Sequence, residues 1–190
     1  FRYSKLIEAV NDADTSILSN ITTVKMYKYF TPTLNSGLKY TLSYNNALYN
    51  PHSGHNSSGG GVISSSGFKV NNDSSLNEHF LDDDGAGNLR LYYLSGTARV
   101  YTDATYGTVD YATGEVVLTS AHITSISNID GASSTQVRVF ATPSSNDIVP
   151  VRNQVLSIDT SNSTITGEVD GIESGSSQAG TTYTTTSSYS

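Results

Sequence analysis

Past one short helical stretch, the hydrophobic period of this chain changes from about 3.6 to two, and it stays at two in short runs. Tyr3, Leu6, Ile7, Val10, Ile17 and Leu18 fall on one stripe at i, i+3, i+4 spacing, predicting a helix over 3–18 with Asn20 as its stop. From Ile21 the pattern alternates. Val24, Met26 and Phe30 oppose Lys25, Tyr27 and Tyr29; Leu38, Tyr40, Leu42 and Tyr44 oppose Lys39, Thr41, Ser43 and Asn45. Each run reads as a strand with one buried face. The link Thr31–Gly37 has the Pro, Asn and Gly of a turn.

Further on, the runs recur at roughly ten-residue intervals, the signature of a sandwich or meander. Leu89–Leu94 and Thr97–Thr102 flank Ser95-Gly96. Thr108–Tyr111 and Glu115–Thr119 flank Ala112-Thr113-Gly114. Ile123–Ile129 and Gln136–Ala141 flank Asp130-Gly131-Ala132-Ser133. Val149–Asp159 reads as a last strand, with Pro150 placing its start at an edge or bulge. The predicted class is α+β, mainly β, with one N-terminal helix packed on antiparallel hairpins and an extended Ser/Thr-rich tail. Residues 1–50 are helix plus two strands, 51–88 a loop-rich insertion, 89–170 hairpins in one domain with 1–50, and 171–190 a low-complexity tail. The start at Phe1, without Met and inside an apparent helix, reads as a piece of a longer protein.

Composition narrows the function. Ser and Thr make 53 of 190 residues, while Leu, Ile, Val and Phe make 43, just enough to fold. The net charge of −7 with only 10 Lys+Arg argues against a phosphate-neutralising nucleic-acid binder. No apolar run reaches the ~18 residues of a membrane span. With no cysteine there is neither a disulfide framework nor a thiolate metal site.

Candidate chemistry is sparse. Asp82-Asp83-Asp84-Gly85-Ala86-Gly87-Asn88 suggests a calcium loop, but Ala86 stands at ligand position 5 and Tyr93 at position 12, so a solvated acidic turn is expected. His52 and His55 could seed a zinc site only if the fold brought in His79 and Asp73. Two solvated histidines on a loop are expected instead. No Gly-x-Ser-x-Gly elbow accompanies His79 or His122, no carboxylate pair stands out, and Gly85-x-Gly87 meets Arg90 where a third glycine is needed. The chain is therefore read as having no catalytic residues, no metal and no cofactor. Thirteen tyrosines are the unusual feature. Tyr27, Tyr29, Tyr92 and Tyr101 lie opposite the core stripes and are the interface candidates.

Three stretches carry a resemblance. Tyr106-Gly107-Thr108-Val109-Asp110-Tyr111-Ala112-Thr113-Gly114-Glu115-Val116-Val117-Leu118 resembles a hairpin of the baseplate wedge proteins of T-even-like contractile-tailed phages. Asp14–Thr22 is similar to their helix-to-strand passage, and Asp147–Asp159 to their final core strand. The resemblance covers about a third of the chain and implies the C-terminal portion of the wedge subunit related to baseplate protein J. It implies a structural role in the virion tail, made in the bacterial host cytoplasm: a homodimer, contacts with other wedge and hub proteins, and a ring that changes shape as the sheath contracts. It implies no enzyme activity, nucleic acid or membrane. The rival expectation is a receptor- or carbohydrate-binding β-domain of a fibre or adhesin, which would gather tyrosines in one concave pocket.

Overall fold

The computed structural model describes residues 1–55, 61–150 and 156–168. The chain divides into two units, Phe1–Val155 and Leu156–Ser190. The first is mainly β, with one N-terminal helix and antiparallel sheets. Helix α1 spans Tyr3–Asn11. The strands are β1 Met26–Phe30, β2 Gly37–Ser43, β3 Ile63–Ser65, β4 Phe68–Val70, β5 His79–Asp83, β6 Asn88–Ser95, β7 Ala98–Asp110, β8 Glu115–Ile126 and β9 Val137–Ala141. In the described part of the second unit, Asp159 accepts hydrogen bonds from the N–H groups of Ser161 and Asn162 and caps a single 3₁₀ turn, Thr160–Asn162.

Two sheets form. The small one has the order β1-β9-β3. The large one runs β2-β8-β4-β5-β6-β7, and β7 pairs again with β8, so the hydrogen bonding makes a closed circuit through β8, β4, β5, β6 and β7. The bend that this circuit needs is visible in β8. Its buried residues are Val116 and Leu118, then Ala121 and Ile123, so the inward parity flips between 118 and 121. There β2 steps two residues (Leu38 to Tyr40) while β8 steps three (Ala121 to Leu118). The extra residue is a bulge, and it keeps both halves of β8 facing the core. Phe68, Ile63, Leu81, Leu89, Leu118, Ile123, Val137 and Val139 are shut from solvent and fill the space between the sheets. Tyr44 spans that space. Its buried hydroxyl donates to the Val139 carbonyl at 2.6 Å, and burial holds its ionisation well above the ordinary tyrosine value.

Several expectations are corrected. The helix stops at Asn11, not Leu18. Asp14 Oδ1 accepts from the Ser16 N–H at 2.8 Å, an Asx turn that takes the backbone out of the helix. No residue of α1 is buried; the helix is held by its start, where Asp147 Oδ1 accepts from the Tyr3 N–H at 2.7 Å. The stretch expected as a loop-rich insertion, 51–88, contains β3, β4 and β5 among its described residues, and these short strands carry core residues. Strands of three residues are too short to show a period, and the carboxylates in β5 hide its strand character. The expected hairpin of 123–129 with 136–141 does not form, because β9 leaves for the small sheet. A tight turn at Asp130-Gly131 does form. Both residues have positive φ (53° and 80°), and Ile129 and Ala132 exchange backbone hydrogen bonds, as a type I′ turn requires. The strand expected at Val149–Asp159 is absent from Val149–Pro150 and Leu156–Asp159, and 151–155 lie outside the described residues. The 171–190 tail also lies outside them.

The two remaining hairpins form close to where they are expected. Ser95 pairs with Ala98 around Gly96 (φ 64°), one residue along from the expected turn, and Asp110 pairs with Glu115 around a loop closed by Gly114 (φ 73°). Gly107 is a different kind of glycine. It lies in β7 between Leu89 of β6 and Leu118 of β8, and a methyl group there would collide with the backbone carbonyl of Val117. Gly107→Ala should therefore destabilise the fold by roughly 2–4 kcal/mol, measured by urea denaturation at unchanged m-value.

Candidate interface faces

The four tyrosines chosen by alternation fall in two places. On the large sheet, cross-strand register sets Phe80 beside Tyr92 and Tyr92 beside Tyr101. Ring centroids are 5.8 Å apart in both pairs. Two arginines on the same face lie over these rings: Arg90 over Tyr101 at 4.4 Å and Arg99 over Tyr92 at 4.7 Å. Asp82 binds the group together. Its Oδ1 accepts from Arg90 Nε at 2.9 Å, and its Oδ2 accepts from Arg99 at 2.6 Å and from the Tyr101 hydroxyl at 2.8 Å. Burial raises the Tyr101 ionisation, and the Asp82 hydrogen bond and charge raise it further. Burial opposes the Arg99 charge, but Tyr92, Tyr101 and Asp82 together hold the guanidinium above its ordinary value. Tyr92 lies on the same face as Tyr101 but is covered there by its neighbours; Tyr101 keeps 37% of its surface exposed and Leu94, opposite Arg99, 49%.

On the small sheet, Tyr27 and Tyr29 meet edge to face at 5.3 Å, with Phe140 at 5.9 Å from Tyr27. Arg138 lies 5.0 Å over Phe140 and makes a two-pronged bond with Asp130 at 3.0 and 3.1 Å. Burial lowers Arg138, but Asp130 and the Tyr29 hydroxyl outweigh it and raise the guanidinium above its usual value. Tyr29 is 42% exposed. Sequence alternation located the tyrosines; it had no signal for the arginines and carboxylates that orient them.

The acidic run is not a solvated turn. Asp82 and Asp83 are entirely buried in β5 and project to opposite faces. Asp83 accepts from the Ile63 N–H at 2.8 Å and from the Tyr111 hydroxyl at 2.6 Å, which drives the Tyr111 ionisation far up through burial and this bond. Asp84 alone serves the turn, accepting from the N–H groups of Ala86 and Asn88 and from the Asn88 side chain. Among the described residues no cluster of three or more His, Cys, Asp or Glu could hold a metal. His79 is fully buried with Nδ1 3.1 Å from the Asn77 carbonyl, and Asp73 accepts from the N–H groups of Ser75 and Asn77; neither joins His52 and His55. An open cleft of about 440 Å³ is lined by Asn50, Ser53, Gly85–Gly87 and Val109–Ala112, and Tyr111 is its one tyrosine.

No family model matches this chain, and no curated protein or solved structure is significantly similar to it.

Two measurements check this geometry. Asp82→Asn leaves Arg90 buried without its charge partner and should cost about 3–5 kcal/mol in urea denaturation, whereas Arg99→Met, about a third exposed, should cost about 1 kcal/mol or less. Burial raises the Asp84 carboxyl, but bonds from Asn88 and Ala86 and the charge of Arg90 outweigh it, so its folded value lies below the ordinary one. Its contribution is thus present above the unfolded value and is lost as pH falls through the lower folded value. Asp84→Asn should be less stable than the parent at pH 7, and the difference should shrink below about pH 4.

Proposed function

We propose that this chain is a structural component of a phage tail baseplate, making wedge-to-wedge contacts in an assembly that rearranges on sheath contraction. The observation that carries this reading is the distribution of the tyrosines. Tyr27 and Tyr29 lie on one sheet and Tyr92 and Tyr101 on the other, each pair set in a broad face with an ion-paired arginine. An adhesin would gather such rings in a concave pocket, whereas assembly uses broad patches. Tyrosine and arginine that are already held in place lose little freedom on binding, and they dominate interface energetics. The half-buried stripe of α1 leaves some apolar surface that a neighbouring subunit would cover. The Tyr106–Leu118 hairpin resemblance supplies the particular assembly.

Light scattering after size exclusion tests the proposal. The chain should run as a dimer or larger, and Tyr29→Ser, which removes a half-exposed ring, should weaken association about tenfold or more while the far-UV circular dichroism stays that of the folded parent. A strict monomer that binds glycans on an array would overturn the assembly reading in favour of the fibre or adhesin one.

A further inference from the structure

The small sheet has two outer strands, β3 and β1, and among the described residues only β3 is covered. There Asp83 accepts from the Ile63 N–H at 2.8 Å and Ser65 Oγ accepts from the Leu81 N–H at 2.9 Å, so β5 closes that edge through side chains. Register fixes which backbone groups of β1 point outward. The even-numbered residues along β9 face β3: the Ser66 N–H donates to the Arg138 carbonyl at 2.8 Å, and the Thr142 N–H to the Val62 carbonyl at 3.0 Å. Backbone groups alternate sides along a strand, so Val137, Val139 and Ala141 turn theirs toward β1. Their partners there are Phe30, Lys28 and Met26. The N–H and C=O of Tyr29 therefore point away from the sheet, and among the described residues neither has a hydrogen-bond partner. Such groups on an outer strand are a template for another strand.

We propose that β1 pairs antiparallel with β1 of a second copy, about a two-fold axis at Tyr29. This names a contact within the assembly reading above and rests on that reading. The strand's own sequence, Met26-Tyr27-Lys28-Tyr29-Phe30, selects the occupant and the register. Outward groups must meet outward groups, so the axis falls at Tyr27, Lys28 or Tyr29. An axis at Lys28 sets that residue against the partner's Lys28, and like charges directly opposite repel. An axis at Tyr27 sets Tyr29 against the partner's Lys25, which lies before β1 begins. An axis at Tyr29 lets the two Tyr29 residues exchange both N–H···O bonds, and it sets Lys28 beside the ring of the partner's Phe30. The edge is only five residues long, which suits a reversible contact. Pairing would join two small sheets into one of six strands and make their Tyr27–Tyr29–Phe140 faces continuous.

Amide hydrogen exchange of the full chain, read residue by residue by ¹⁵N NMR across a dilution series, tests this pairing. The Tyr29 N–H should exchange about tenfold or more slowly in the associated sample than in the dilute one, because pairing places it in a ladder. Tyr29→Pro lacks that N–H yet is compatible with an outer strand, and it should weaken association about tenfold or more. Tyr29→Phe keeps both the ring and the N–H and should associate like the parent. Far-UV circular dichroism checks that each variant folds; if the proline variant does not, the exchange measurement on the parent decides. Association with Tyr29 exchange unchanged overturns this pairing and leaves the assembly reading standing. A chain that stays monomeric at every concentration overturns both.

Discussion

The structure depends on two adjacent carboxylates buried in one strand. A carboxylate away from water is expensive unless charge or hydrogen bonds surround it; on opposite faces of β5, Asp82 meets Arg90, Arg99 and the Tyr101 hydroxyl, and Asp83 accepts from the Ile63 N–H and the Tyr111 hydroxyl. Asp83 faces the small sheet. By accepting from Ile63 it takes the place of a backbone partner for β3, and through Tyr111 it also secures the loop between β7 and β8. Ser65 Oγ returns the arrangement by accepting from the Leu81 N–H at 2.9 Å. The two sheets are thus stitched by side chains where backbone ladders cannot reach. Asp82, on the other face, aligns Arg90, Arg99 and Tyr101 and so gives the large sheet its ordered aromatic surface.

That division links stability to use. A chain with few large aliphatic residues cannot rely on its apolar core alone, and here buried ion pairs and tyrosines supply cohesion. The same groups stiffen the surfaces offered to a partner. Tyr101 and Tyr29 are half exposed yet fixed, each oriented by its hydroxyl and by a neighbouring guanidinium. The amphipathic α1 is the opposite case, held at its start with its apolar stripe only half covered.

Much of the local structure was legible in the residues. Gly96, Gly114 and Asp130-Gly131 mark turns because positive φ is a local steric demand that few residues meet. Alternation found β1, β2, β6, β7 and β8, because a half-buried strand writes its period along the chain. It overran the helix, where Asp14 offers the Ser16 N–H a side-chain bond in place of a helical one. It missed β3 and β4, which are too short to show a period, and β5, whose buried face includes carboxylates. The interface tyrosines could be chosen from the face they occupy. Their arginine partners could not, because each is brought in by a neighbouring strand.

The sequence by itself determined the class, mainly β after one helix, and the places where the chain turns, since both follow from φ preferences and from the period of two. Which strands pair was decided only in the tertiary structure. Strand β9 follows a perfect hairpin turn and still joins the other sheet, because burying Val137 and Val139 between β1 and β3 outweighs the local signal. The meaning of Asp82-Asp83-Asp84 was decided there too. Three acidic residues read as a wet turn until Arg90 and Arg99, from the two strands that follow, hold Asp82 on one face and Ile63 and Tyr111 hold Asp83 on the other, both carboxylates buried.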